Sequence, residues 1–335
     1  MRVVILGLVC KAVSLGAQTP VPNPRDPADE ALRALVAAAP RLPLEGVPLT
    51  VTPNAPGFAL GMVSWVASTR DGITYLLQRG DKADPVVAVD RNGTVLRSWG
   101  KGLYVMPHAI RVDPQGNVWT ADAASSHVIK FSPEGKVLLD IVVGGQPTPC
   151  AENFCGTTDV AFAANGHVFI SDGYANARII EYTATGDKVR EWGTPGTGPG
   201  QFNLPHSIAI DAAGVVYVAD RENGRVQRFD QTGKYLGEWK YGKTFGLEAD
   251  GAFMWLATQP SQQPNFSPGW LLKVDTKTGN IAGWVPSAGN HGMDVTSSGE
   301  LLVGPHRAAC HSGIGAAARD RLTLRRSLDS TRSSR

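Results

Sequence analysis

Apolar and polar residues alternate in short runs along most of this chain, and the runs recur. The clearest unit occupies residues 204–230, LPHSIAIDAAGVVYVADRENGRVQRFD. A His heads one alternation, a turn containing Gly214 follows, a second alternation ends in Ala219-Asp220-Arg221, and a third begins at Gly224. Period-two alternation bounded by turn residues predicts short antiparallel strands.

Aligned on the glycine after the first strand, the unit recurs. Gly116 opens GNVWTADAASSHVIKF, Gly166 opens GHVFISDGYANARIIEY, and Gly214 opens GVVYVADRENGRVQRF. Weaker copies begin at Gly72 (GITYLLQRG), Gly251 (GAFMWLATQ) and Gly299 (GELLVG). Self-similarity every ~40–50 residues, with four strands per unit, is the signature of a β-propeller. The pattern predicts an all-β fold, a six-bladed β-propeller whose last blade is incomplete in sequence. The propeller is expected over 58–304, after a Pro/Ala-rich linker or N-terminal wrap at 18–57 with one helix at 26–39. An irregular Arg/Ser-rich tail at 305–335 is expected to be disordered. A segment near 47–51 is the expected donor of a strand that closes the ring, since propellers pair strands from both chain ends.

Composition changes this picture little. The chain has 335 residues, 42% of them apolar, enough for one closed domain. The formal charge of +2 hides an asymmetry: residues 1–17 hold two cations and the last 32 hold seven Arg against two Asp, so 18–303 carry about −5. No basic stripe remains, which argues against nucleic acid as a partner. Residues 1–17, MRVVILGLVCKAVSLGA, read as a secretory signal interrupted by Lys11, so the expected location is secreted or periplasmic. No apolar run approaches the ~20 residues of a membrane span. In an exported chain, Cys150 and Cys155 in CAENFC are expected to form a local disulfide, leaving Cys310 odd; two free thiols are the alternative.

The candidate chemistry emerges when equivalent positions are compared. Eight residues before each alignment glycine the repeats offer Ser64, His108, Thr158, His206, approximately Phe245, and His291. Histidine therefore alternates around the ring, and innermost strands line the channel, so three imidazoles should meet on the axis. Three neutral imidazoles with one direction left open are the donor set of a catalytic zinc site. His127, His167, His306 and His311 fall outside the pattern and are read as surface or tail residues. The end of each second strand lies on the same face as the start of the first. That places Arg79, Tyr174 and Arg221 around the same mouth, where two guanidiniums suit a small substrate with a carboxylate. Asp122, Asp172 and Asp220 at the matching positions are read as turn residues that accept backbone N–H bonds.

With these residues in view, MPHAIRVD, SDGYANARI, LPHSIAID and ADRENGR resemble the peptidylglycine alpha-amidating lyase family, built on NHL-type repeats. The resemblance spans about residues 58–303. It implies a six-bladed propeller binding zinc through His108, His206 and His291, with Tyr174 as catalytic base, Arg221 favouring its phenolate, and Arg79 holding the substrate carboxylate. The implied reaction splits a peptidyl-α-hydroxyglycine into an amide and glyoxylate. Two departures matter. Gly292 stands where the family has the Asp that contributes to a structural calcium site, so calcium carries over less firmly than zinc. Ala175 stands where a Cys is expected, which leaves Cys150 as the near partner for Cys155. The implied partner is a peptide or small molecule, and a monomer is expected. Two other readings remain open: a zinc hydrolase of a small anionic ester or lactone, and a non-catalytic binding propeller.

Overall fold

A computed structural model describes residues 27–144, 154–305 and 322–326, with the backbone alone at 45–48, 290, 305 and 322–326. The expected signal segment, Cys150, Cys310, His306 and His311 lie outside these residues, and so does the expected Cys150–Cys155 bridge.

Five sheets each hold four sequence-consecutive antiparallel strands, spanning 63–99, 107–142, 157–192, 205–239 and 243–287. All six alignment glycines have positive φ, from 59° at Gly251 to 95° at Gly72. This is backbone that glycine enters without steric cost, which is why it marks the first hairpin of every repeat. Asp113 and Asp211 reinforce the same turn. Each carboxylate accepts N–H bonds from two and four residues on, at 2.8–3.0 Å.

The first strand of every sheet is its innermost. Val63–Ser68, Pro107–Val112, Thr157–Phe162, Pro205–Ile210, Lys243–Asp250 and Asn290–Val295 contact one another in a closed cycle, the last returning to the first. In Pro107–Val112, Thr157–Phe162 and Pro205–Ile210 the side chains are almost all buried, whereas fourth strands such as Lys188–Trp192 are largely exposed. Apolar residues of adjacent sheets interleave to form the core, as where Trp65, Tyr75, Trp119 and Ile170 share one cluster.

The last sheet departs from the sequence expectation. Asn290–Val295 and Leu301–Pro305 continue into Leu322–Arg326, a strand within the 305–335 segment expected to be irregular throughout. Leu44–Pro48 pairs antiparallel with its outer edge. Five blades are therefore complete meanders, and the sixth position is a sheet assembled from both ends of the repeat region. The alternation LTLRR is only five residues long and follows a sequence without apolar alternation, so period alone gave no way to recognise it.

The helix Pro27–Ala38 does more than link. Leu32 and Val36 are buried in the cluster of Trp239, Tyr241 and Leu256. The Asp29 carboxylate accepts the backbone N–H groups of Ser261 (2.6 Å) and Gln262 (3.0 Å). Among the described residues no helix is long and apolar enough to cross a membrane.

Candidate metal centre and active site

The three alternating histidines converge. His108, His206 and His291 are buried, and one ring nitrogen from each lies within 4.8 Å of the others. Ring centroids stand 4.7–4.9 Å apart, and the planes are steeply inclined to one another.

The intervening blades orient the rings. His108 Nδ1 donates to the carbonyl of Thr158 (2.6 Å), His206 Nδ1 to that of Phe245 (2.8 Å), and His291 Nδ1 to that of Ser64 (2.9 Å). Ser64, Thr158 and Phe245 are the residues that occupy the histidine position in the other three repeats. A carbonyl only accepts, so each Nδ1 carries the proton and each Nε2 keeps its lone pair. Such outer partners fix both the tautomer and the direction of a metal-binding imidazole. Burial, then Arg221 and the other two imidazoles, hold the His206 pKa well below the ordinary value, so that ring is neutral. The donor set therefore fits a divalent ion that favours nitrogen ligands.

Tyr174 and the two arginines meet the histidines at one mouth of the channel. The Tyr174 hydroxyl is 2.9 Å from His108 Nε2 and 3.2 Å from His206 Nε2. The Arg79 and Arg221 side chains line a cavity of about 510 Å³ with Tyr174, His291, Met62, Met106, Phe154 and Phe266. Arg79 Nε donates to Pro107 O (2.8 Å), which leaves its terminal nitrogens to face the cavity. Arg221 Nε donates to Glu222 (2.8 Å), and Lys243 lies 3.0 Å from the other oxygen of that carboxylate. Burial disfavours ionised Glu222, but Arg221 and Lys243 prevail and lower its pKa.

Arg221 does favour the Tyr174 phenolate, but it is not the largest influence on that group. Burial raises the Tyr174 pKa, and Arg221 and Arg79 oppose that rise only in part. The phenol is therefore the form favoured by the protein groups alone.

Of the three aspartates expected to accept backbone N–H groups in their turns, Asp122 does so, whereas Asp220 binds a backbone N–H of a preceding connection and Asp172 binds side chains. Asp122 accepts the backbone N–H groups of Val105, Met106, Ala124 and Ser125, and Asp220 that of Asn203. Asp172 accepts from Asn176 and Arg178. His127 pairs with Asp140 and His167 with Glu181, both away from the channel.

Sequence reasoning missed what lies beneath the histidines. Arg111, three residues after His108, is buried at the axis. Its Nε and Nη2 donate to the Asp159 carboxylate (2.9 and 2.7 Å), Nη2 to Leu247 O (2.9 Å), and Nη1 to Glu248 and to Met293 O (3.5 Å). Ser207 Oγ and Ile208 N complete Asp159 at 2.7 and 3.2 Å. This hub joins five of the six innermost strands, those that carry the three histidines and the Thr158 and Phe245 carbonyls. Trp65 separates the two layers, 5.4 Å from the His291 ring and 5.0 Å from the Arg111 guanidinium. A Cβ at Gly292 would lie 2.3 Å from the Trp65 ring, so position 292 offers neither a carboxylate for calcium nor room for one. Excess acid surrounds Arg111: burial, with Asp294 and Asp159, pushes the Glu248 pKa up to about 8 although Arg111 lowers it. A larger cavity of about 860 Å³ opens beyond the hub, at the other end of the channel, away from the histidines.

Residues 202–229 match the NHL repeat. Over 211 residues, 59% of this chain, the sequence is 36% identical to peptidylglycine alpha-amidating monooxygenase of Rattus norvegicus, of which the match covers 22%. Over 149 residues it is 39% identical to peptidyl-alpha-hydroxyglycine alpha-amidating lyase 1 of Drosophila melanogaster, covering 41% of this chain and 27% of that one. The chain thus spans about a quarter of the length of these relatives. A solved structure of streptogramin B lyase superposes on 84% of this chain and 97% of its own with a TM-score of 0.55 at 14% identity, a likeness of fold.

Proposed function

We propose that this protein is a zinc-dependent lyase that cleaves the C–N bond of a peptidyl-α-hydroxyglycine, releasing an amide and glyoxylate. We take its ring as six-bladed, with the sheet made from both ends of the repeat region as the sixth blade. One observation carries the reading: three buried imidazoles, each turned by a carbonyl of the next blade, converge beside a tyrosine hydroxyl, and His291, Tyr174, Arg79 and Arg221 line one cavity. The similarity to peptidyl-alpha-hydroxyglycine alpha-amidating lyase 1 of Drosophila melanogaster supports it.

The cavity suits a substrate with a terminal carboxylate. The free edge of the Arg79 guanidinium can take both carboxylate oxygens, and Arg221 adds a second positive charge. That grip would place the hydroxyl-bearing carbon beside the Tyr174 oxygen, and holding reactants in register is a large part of catalysis. Zinc held by His108, His206 and His291 would supply a Lewis acid able to lower the pKa of a hydroxyl, as it lowers that of water from about 15.7 to about 7. Tyr174, as the phenolate that Arg221, Arg79 and the charge of a bound ion would favour against the effect of burial, takes the hydroxyl proton, the carbon–oxygen double bond forms, and the C–N bond breaks with its electron pair leaving on nitrogen. Tyr174 then returns the proton to that nitrogen, so atoms and charge balance without an added reagent. Burial and Glu222 both serve this step, the first by excluding water and the second by holding Arg221 in place.

Product analysis tests the reaction type. Incubated with α-hydroxyhippurate, the zinc-loaded protein should yield benzamide and glyoxylate in equal amounts. Hydrolysis of a lactone or ester, with no glyoxylate from hydroxyhippurate, would replace the lyase reading with a hydrolase.

A further inference from the structure

Part of the cavity lining is apolar, and one of its rings is held there at a cost. Phe266 has φ 64°, a left-handed backbone that bulky residues rarely adopt. Residues held in such conformations concentrate at binding and catalytic sites, where the surroundings enforce them. Two devices enforce this one. The buried Gln259 side chain donates to Pro264 O (2.8 Å) and Gln263 O (3.3 Å) and accepts from Ser267 N (3.0 Å), so one amide spans the loop. Gly289, at φ 101°, leaves the space that the Phe266 carbonyl occupies: a Cβ there would stand 2.3 Å from that oxygen. The outcome is a phenyl ring 4.9 Å from Phe245 and 5.9 Å from His291.

A second ring stands at another side of the mouth. Phe154 lies 4.8 Å from the Tyr174 ring and 5.8 Å from the Arg79 guanidinium, and it is 36% exposed. The main chain just after it is fixed, with Cys155 N and Gly156 N both donating to Ala123 O at 2.8 Å. Met62 and Met106 complete the lining. An exposed phenyl beside a guanidinium gains little from the fold alone, and neither does a strained one, but both gain if an apolar group enters between them.

We infer that Phe154 and Phe266, with Met62 and Met106, form an apolar collar that receives the side chain of the residue preceding the terminal hydroxyglycine. The preferred substrates are accordingly peptides with a large apolar or aromatic residue at that position. Phe154 and Phe266 determine specificity and take no part in bond breaking. The inference rests on the lyase reading for the placement of the carboxylate on Arg79.

Two measurements on the zinc-loaded protein test it, one independent of turnover. Binding of the unreactive carboxylates N-acetyl-Phe-Gly and N-acetyl-Gly-Gly is followed by calorimetry, and kcat/KM is measured for the corresponding hydroxyglycines. Wild type should favour the Phe ligand by about 10- to 100-fold in both, the gain from burying one phenyl group. Phe266→Ala and Phe154→Ala should each shrink that ratio several-fold, mainly through Kd and KM, with a circular dichroism spectrum like that of wild type. No preference in wild type, or equal losses for both ligands in the variants, would overturn the collar. A Phe preference in binding without glyoxylate from either substrate would leave the collar standing and overturn the lyase reading.

Discussion

Replacing Arg111 with Met keeps much of the side-chain volume but removes a buried cation on which three other innermost strands converge. The guanidinium donates to Asp159 twice, to Glu248, and to the carbonyls of Leu247 and Met293. Its loss leaves Asp159 and Glu248 without their cation, next to Asp294. Removing one partner of a buried ion pair costs about 3–5 kcal/mol. With an unfolding entropy of ~2.1 cal/mol/K per residue over 335 residues, that loss lowers Tm by about 4–7 °C. The sign of its pH dependence follows from Glu248, whose folded pKa already stands above the unfolded value of about 4.5. A carboxyl raised in this way contributes stability that is full below the unfolded pKa and lost as pH rises through about 8. Without Arg111 the acids of the channel rise further, so the variant should lose more stability at pH 8 than at pH 5.5. Thermal melts of both proteins at the two pH values measure this. A fall under about 1 °C at pH 8, or equal falls at both, would refute the view of Arg111 as the cation that holds the inner strands together.

Other outcomes follow from the site. Tyr174→Phe should retain bound metal while glyoxylate release falls ~10²- to 10⁴-fold, the usual contribution of a positioned acid or base; an active variant would remove Tyr174 from the reaction. Arg79→Lys should lower kcat/KM by ~10- to 100-fold, because an ammonium cannot reproduce a two-pronged grip on a carboxylate. Steady-state kinetics with α-hydroxyhippurate would register that change, and an unaltered KM would assign the carboxylate to another group.

The parts of this molecule that were legible in sequence are those that repeat. The alignment glycines recur because the first hairpin of every unit needs positive φ, and the three histidines stood out because they occupy one register position in alternate units. Arg79, Tyr174 and Arg221 followed from strand direction, since each sits just past a second strand at the same mouth. What sequence did not reveal is what differs from unit to unit. Arg111 and Glu248 occupy the same register in two repeats, where Ala67, Ala161 and Ala209 stand in three others, so no periodic signal marks them as partners. The backbone carbonyls of Ser64, Thr158 and Phe245 do their work without their side chains, and residue type says nothing of it. Phe154 and Phe266 lie in connections, where loop path decides what a ring faces. The two arginines beside Tyr174 are legible in sequence, whereas the depth of burial that raises its pKa is not.

The central claim is that three buried imidazoles hold a catalytic zinc ion. Metal content by plasma emission, on wild type and His206→Ala, with glyoxylate release from α-hydroxyhippurate measured on the same samples, addresses it most directly. The account predicts about one zinc per chain in the wild type, and loss of both zinc and glyoxylate in a variant that remains folded. A folded wild type that takes up no zinc, or a His206→Ala protein that keeps both zinc and activity, would contradict it.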